Sequence, residues 1–195
     1  MQQSLHEFYG RKKCEGVLAN RRKIFYFAVY IIIVKSLYIV RHAKAESPFG
    51  INDFERPLAE RGKKDAADMA RRLLAKKITI DAFVSSPAKR AKKTAAIFNN
   101  EYGRKEDEVL LISSLYHATN ENFYDAVTGL DDSLNSVAIF SHNPGITYFA
   151  ASLTTIRIDN MPTCAVFAVQ ADISNWKNFV KAKKEFLFFD WPKNI

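Results

Sequence analysis

A short apolar stretch of the chain stops abruptly at an arginine and a histidine, and this pair is the first sign of chemistry. Residues 37–40 read Leu-Tyr-Ile-Val, a pattern that predicts a buried strand, and Arg41 and His42 follow directly. In a parallel α/β sheet, ligands bind beyond the carboxyl ends of the strands, so both side chains are predicted to lie at a ligand site. A guanidinium can bind two oxygens of a phosphoryl group, and a neutral imidazole nitrogen can attack its phosphorus.

Taken alone, such a dipeptide could equally end a strand at the protein surface. However, a second arginine and a second histidine occur at two other predicted strand-to-helix junctions. Arg90 falls in the first turn of a helix predicted after a second strand, and His142 directly follows the apolar strand 136–141. The carboxyl ends of parallel strands share one edge of the sheet, so these side chains are predicted to converge. Helix starts predicted at Pro87 and Pro144 would add unpaired backbone N–H groups that favour an anion. The arrangement predicts a cationic pocket for a transferring phosphoryl group.

The elements that must position these residues alternate between strands and helices. Strands are predicted at residues 37–40, 81–85, 109–112, 136–141, 165–169 and 185–190. Helices are predicted from Pro57 to about residue 75, from Pro87 with Ser86 as its N-cap, over residues 120–130, and from Pro144. This alternation predicts an α/β fold, a three-layer α/β/α sandwich around a mostly parallel central sheet.

Composition narrows the class of protein. The 195 residues suit one domain, and 48% hydrophobic residues with a mean hydropathy of −0.19 indicate a globular protein. The net charge is +8, but the sequence lacks both a nucleic-acid reader motif and basic residues interleaved with aromatics. Its two cysteines, Cys14 and Cys164, form no disulfide framework or metal pattern, which favours a reducing, cytoplasmic setting.

Residues 1–33 differ from the rest of the chain and are predicted to form a basic and apolar extension to a domain at 34–195. They hold six Lys and Arg against two Asp and Glu, which is half of the positive surplus. The apolar run 24–34 is shorter than the roughly 20 residues that a membrane helix needs, so no span is predicted, although a signal or anchor is the alternative. Our preferred hypothesis is translation from Val34, with residues 1–33 a start-site artefact.

Four segments, in this order, resemble the histidine phosphatase superfamily. They are Leu-Tyr-Ile-Val-Arg-His-Ala from residue 37, Arg-Pro-Leu-Ala-Glu-Arg-Gly from 56, Ser-Ser-Pro-Ala-Lys-Arg-Ala-Lys-Lys-Thr-Ala from 85, and Phe-Ser-His-Asn-Pro-Gly from 140. The resemblance extends from residue 37 to the C-terminus and is greatest to the short bacterial phosphohistidine phosphatases of SixA type. It implies the phosphoglycerate mutase-like fold.

The resemblance also implies roles for individual residues. His42 is the expected nucleophile, and Arg41, Arg90 and His142 are expected to bind the phosphoryl group. Arg56 is similar to an arginine near that pocket in the short subgroup, although a helix cap at the surface is the plain alternative. The implied mechanism has two steps, in which a phosphohistidine intermediate forms on the enzyme and water then hydrolyses it. The sequence has no acidic cluster with metal-ligand spacing, and we expect no metal and no cofactor.

The sequence has few candidates for a general acid, the group that would protonate the leaving group of a phosphate ester. Relatives that act on phosphate esters have a carboxylate near the loop after the third strand, where this chain has His117 and Glu121. Either could bind substrate or donate a proton, but Glu121 could also complement the helix dipole and His117 could be a surface histidine. Ala43 replaces a glycine that is common in the family, a change that a small methyl group should permit.

Three functions therefore remain open. The first is a phosphatase that acts on phosphohistidine in a signalling phosphotransfer protein, since an imidazole leaves more readily than an alkoxide. The second is a phosphomonoesterase acting on a small metabolite, which should need Glu121, His117 or Asp53 as proton donor. The third is a non-catalytic phosphate-binding module, which the presence of all four core groups disfavours. A phosphorylated partner protein or metabolite is expected, and nucleic acid and membrane are not.

Overall fold

The computed structural model describes residues 11–20, 23–47 and 49–194, and for residues 11–32 it describes the backbone alone. Strands β1 (Arg11–Asn20) and β2 (Lys23–Ile32) form a two-stranded antiparallel sheet. The backbone of the predicted apolar run thus forms a strand up to Ile32. Residues 1–10, 21 and 22 of the predicted extension lie outside the described residues, and the domain boundary at 34 stays a prediction. None of the described helices is long and apolar enough to cross a membrane.

A six-stranded sheet forms the centre of the fold, in the order β5-β4-β6-β3-β7-β8. Its strands are β3 (Val34–Arg41), β4 (Ala82–Ser85), β5 (Leu110–Leu111), β6 (Ser136–Ser141), β7 (Val166–Asp172) and β8 (Glu185–Asp190). The first four run parallel, and β7 is antiparallel to both of its neighbours. The mostly parallel sheet is therefore confirmed, as are the predicted bounds of β6 and β8.

Helices cover both faces of this sheet. They are α1 (Glu60–Ala75), α2 (Lys89–Glu101), α3 (Asn120–Thr128) and α4 (Gly145–Leu153). Side chains alternate along β3, so that Leu37 and Ile39 join a core with α3 and α4, while Tyr38 and Val40 join a core with α1 and α2. The predicted α/β/α sandwich of phosphoglycerate mutase-like type is confirmed.

Two predicted helix starts are wrong, and in both cases tertiary contacts displace them. The segment before α1 stays extended because Leu58 forms an antiparallel bridge with Ala45 and the Ala59 N–H donates to the Lys44 carbonyl. Helix α2 begins after an N-cap at Ala88, so Pro87 is not its first residue. The hydroxyl of Ser86, the predicted cap, accepts a hydrogen bond from the Ala88 N–H at 3.3 Å and also lies 2.9 Å from Nε2 of His142.

Candidate active site

The register of two neighbouring strands brings the two histidines together. Strands β3 and β6 are parallel, and Arg41 is the register partner of Ser141, so His42 and His142 leave their strands at the same level. The His42 N–H donates to the Ser141 carbonyl at 3.1 Å, which continues the pairing one residue further. The imidazole centroids are 5.0 Å apart, which is close to the spacing between adjacent strands.

The His42 side chain is held with one ring nitrogen available. Its Nδ1 lies 2.8 Å from the Ala43 carbonyl, a contact that requires a proton on Nδ1 and leaves the lone pair on Nε2. Burial, together with the charges of Arg90, Arg41 and Arg56 and against the opposing hydrogen bond to Ala43, lowers the pKa of His42 to about 4. The imidazole is therefore neutral at pH 7, the form in which it can act as a nucleophile.

Arg90 lies beside this nitrogen and is anchored from behind. Its Nε donates to Nε2 of His42 at 3.2 Å. Its two terminal nitrogens donate to the Asp53 carbonyl and, at 2.9 Å, to the Asp53 carboxylate. The residue is buried at the start of α2, where its own carbonyl accepts a hydrogen bond from the Thr94 hydroxyl. The guanidinium is thus positioned before any substrate binds.

Asp53 is the anchor of this arrangement. Its carboxylate accepts hydrogen bonds from Arg56, Arg90 and the Tyr116 hydroxyl, each at 2.9 Å. Burial acts to raise the pKa of Asp53, but these three hydrogen bonds and the charge of Arg90 outweigh it and hold the pKa well below its usual range. The carboxylate is therefore ionised at pH 7, and it orients two arginines.

Arg41 and His142 each keep a polar atom without a partner. Arg41 donates from Nη1 to the Met161 carbonyl at 2.6 Å, while its buried Nε makes no hydrogen bond within the described structure. His142 has Nε2 at 2.9 Å from the Ser86 hydroxyl, and its Nδ1 is buried without a partner. Burial, with the charges of His42 and Arg90, lowers the pKa of His142 to about 2. Unpaired buried polar groups are costly and mark places where function has been favoured over stability.

These groups surround a cavity of about 330 Å³, which we call the strand-end pocket. Its charged and imidazole side chains are those of Arg41, His42, Lys44, Asp53, Arg56, Arg90, His117 and His142. Four cations thus face one carboxylate, an excess that attracts an oxyanion. The described residues contain no group of three or more His, Cys, Asp and Glu side chains arranged to hold a metal ion.

The structure brings six of the seven predicted site residues to this pocket. The four core residues line it, as do Arg56 and His117. Arg56 is held by the Glu46 carbonyl, the Ser47 hydroxyl and Asp53, so it is not merely a helix cap. Glu121, the seventh residue, was predicted to bind substrate or donate a proton. It lies exposed in the first turn of α3 and does not line the pocket.

Sequence reasoning missed the anchoring roles of Asp53, Tyr116 and Ser86. Asp53 was considered only as a proton donor, although its spacing of three residues from Arg56 is a signal for an ion pair. Tyr116 reaches Asp53 across 63 residues, and Ser86 reaches His142 across 56. No local pattern points to either of these contacts.

Comparisons with known proteins agree with this geometry. Residues 37–111 match the family model of the histidine phosphatase superfamily (branch 1). An uncharacterised protein of Mycobacterium tuberculosis is 30% identical over 117 residues, which cover 60% of this chain and 71% of that protein. The protein histidine phosphatase SixA complexed with tungstate superposes with a TM-score of 0.70 at 23% identity, over 82% of this chain and 98% of its own. A mycobacterial glucosyl-3-phosphoglycerate phosphatase superposes with a TM-score of 0.58 at 16% identity, over 78% and 97% of the two chains.

Proposed function

The chain belongs to the histidine phosphatase superfamily, and on that premise we propose that it hydrolyses the P–N bond of phosphohistidine in a signalling phosphotransfer protein. The proposed nucleophile is His42 and the proposed phosphate ligands are Arg41, Arg90 and His142. The likeness in fold to the SixA protein histidine phosphatase makes this substrate class a candidate. The choice between substrates depends on the leaving group.

The first step follows from the position of the His42 lone pair. Nε2 attacks phosphorus, the bond to the substrate nitrogen breaks, and its electron pair leaves with the substrate imidazole. Arg90 hydrogen-bonds to Nε2 in the structure, so its guanidinium must turn toward the phosphoryl oxygens to free the lone pair. Together with Arg41 and His142 it would then stabilise charge on the equatorial oxygens. In the second step water attacks the phosphorus, releases phosphate and restores neutral His42.

The state of Asp53 is the observation that favours a P–N substrate. An alkyl ester needs a proton donor for its alkoxide, and Asp53 is the carboxylate among the described residues of the strand-end pocket. Its three hydrogen bonds keep it ionised, so it holds no proton to donate. The ring of phosphohistidine can carry a proton on its other nitrogen. It then leaves as a neutral imidazole and does not depend on such an acid. The proposed site therefore suits phosphohistidine better than an alkyl phosphate.

A small-molecule phosphomonoester is the second candidate, and His117 is the observation that favours it. The imidazole of His117 lines the strand-end pocket and is exposed, so it could protonate a leaving oxygen. The similar glucosyl-3-phosphoglycerate phosphatase shows that proteins of this fold include one named for a small-molecule substrate.

The test compares three substrates in one assay: a phosphohistidine peptide, p-nitrophenyl phosphate and an alkyl phosphate. We expect the phosphohistidine peptide to be hydrolysed with the highest kcat/KM and the alkyl phosphate with the lowest. His42→Ala should reduce every activity by about 10⁴-fold or more and abolish acid-labile phosphate on the enzyme. Activity that survives this substitution would contradict the assignment of His42 as the nucleophile. Phosphate binding by the wild type without any turnover would indicate a non-catalytic binding module.

Two variants separate the candidate functions. His117→Asn removes the possible acid but tolerates the positive φ of 54° at this position, because asparagine adopts left-handed backbone readily. Glu121→Gln is the matched control, because this residue lies outside the pocket. Alkyl phosphate turnover that equals phosphohistidine turnover and falls only in His117→Asn would favour the phosphomonoesterase.

A further inference from the structure

A second cavity opens directly beside the strand-end pocket. It has a volume of about 490 Å³ and lies between the loop 117–120 and the start of α4 at residues 143–148; we call it the side pocket. His117, His142 and Asn143 line both cavities, so the two are continuous. A group attached to a phosphorus atom beside His42 can therefore extend into the side pocket.

The chemistry of the two cavities differs. The described lining of the side pocket includes no Lys, Arg, Asp or Glu, whereas the strand-end pocket has four cations. Tyr148 lines the side pocket with 64% of its surface exposed, which is unusual for an aromatic side chain on an α4 that otherwise packs into the core. The side pocket thus suits a neutral, flat group and not a second phosphate.

The walls of the side pocket are preorganised. Gly145 lets the loop approach α4 closely, since a Cβ atom there would lie 2.0 Å from the Ala118 carbonyl oxygen. Thr119 and Asn122 form a reciprocal capping box that fixes the loop where it enters α3. Asn143 is held by the Thr147 hydroxyl at 2.8 Å. A cavity with fixed walls binds at a lower cost in conformational entropy.

We propose that the side pocket is the leaving-group subsite, which receives the imidazole ring of the substrate phosphohistidine and its adjoining backbone. This inference rests on the proposed function and deepens it. When His42 forms its bond to phosphorus, the P–N bond of the substrate breaks and its electron pair stays on the departing imidazole. That ring, which carries a proton on its other nitrogen, departs as a neutral imidazole and remains beside Tyr148. The exposed aromatic ring of Tyr148 contributes stacking to the departing imidazole.

The test uses two P–N substrates that differ only in the leaving group. Phosphoramidate releases ammonia, which cannot fill the side pocket, while a phosphohistidine peptide releases an imidazole. Tyr148→Ala should reduce kcat/KM for the peptide about five- to tenfold more than for phosphoramidate, mainly through KM, as expected for a lost ring contact. Tyr148→Phe should restore the peptide value. Leu110→Ala removes an apolar side chain of similar exposure outside both pockets and should change neither substrate.

A binding measurement keeps this inference separate from the proposed function. An unphosphorylated histidine peptide, added to the wild type, should shift the NMR signals of the His117 ring, and Tyr148→Ala should weaken that shift. If the NMR signals shift but the protein does not hydrolyse phosphohistidine, the proposed function is wrong and the subsite is still supported. Absence of any shift, or equal loss of both P–N activities in Tyr148→Ala, would overturn the subsite whatever the wild-type turnover.

Discussion

Two clusters in this molecule place cations around a carboxylate, and they differ in how far the charged groups are paired. Near the C-terminus, Arg72 and Lys76 bind opposite oxygens of buried Asp190 at 2.8 and 3.1 Å. Arg72 also donates to the carbonyls of Trp191 and Asn194, so this cluster is closed by its own partners. The described lining of the strand-end pocket has four cations but one carboxylate, that of Asp53, and Arg41 keeps an unpaired Nε.

The contrast shows what separates a structural ion cluster from a binding site. The Asp190 cluster satisfies its donors internally and joins α1 to the C-terminal segment. The strand-end pocket keeps positive charge in excess and two buried polar atoms, Arg41 Nε and His142 Nδ1, without protein partners. The balance of donors and acceptors is what distinguishes the two clusters. Substitutions in one cluster should therefore affect activity and in the other stability.

The largest expected effect comes from exchanging one arginine in each cluster for alanine. Arg90→Ala should lower kcat by about 10²–10³-fold, because it removes a guanidinium that would stabilise charge on the phosphoryl oxygens. Arg72→Ala should leave kcat unchanged and lower the free energy of unfolding by about 1 kcal/mol, because it half-unpairs a buried carboxylate that Lys76 still contacts. Steady-state kinetics and urea unfolding of both variants measure the two effects.

Arg71→Ala is the matched control, since this neighbour of Arg72 pairs with exposed Asp68 and with Glu101 at the surface. It should change neither kinetics nor unfolding noticeably. The comparison fails if Arg72→Ala loses as much activity as Arg90→Ala.

The pH dependence of stability should also separate the clusters. Because the folded pKa of His42 lies near 4, below its unfolded value of about 6.5, the unfolded chain binds the extra proton between these values and stability falls as the pH is lowered. His42 alone should remove about 2 kcal/mol between pH 7 and pH 5. The pKa of Asp190 is lowered, so its stabilisation is lost only as the pH falls below about 3.8, the usual value for the unfolded carboxyl.

Urea unfolding at pH 7, 5 and 3 tests this order of events. His42→Gln should remove about half of the change between pH 7 and 5, because His142, whose pKa is also lowered, contributes a similar loss. Arg72→Ala should leave the change as it is. An unaltered slope in His42→Gln would show that this imidazole is not buried in its neutral form.

The smallest expected effect concerns the positioning of Arg90 through Asp53. Tyr116→Phe removes one of three hydrogen bonds to the carboxylate and should lower kcat about fivefold, the equivalent of a hydrogen bond of about 1 kcal/mol. KM should change less than kcat, because Tyr116 does not line the strand-end pocket. A tyrosine that serves packing alone would lower stability without altering kcat.

Much of the fold was predictable because it depends on local pattern. The apolar runs at β3 and β6 and the turn residues around them indicated strands that end in Arg41-His42 and in His142. Their convergence follows from the rule that parallel strands share one carboxyl edge. The helix starts predicted at Pro57 and Pro87 were wrong because capping preferences are weak and give way to tertiary contacts.

What the sequence by itself determined is which residues stand at the ends of the strands and which chemistry they can perform. Only the tertiary structure decided that Asp53 binds Arg90 across 37 residues, and that His117 faces the pocket while Glu121 points away. It also buried Lys35 against the carbonyls of Asp132 and Leu134, where the sequence showed only a charge interrupting an apolar run. Local preference acts over a few residues, whereas these contacts are set by strand register and loop path, which bring distant side chains within hydrogen-bonding distance.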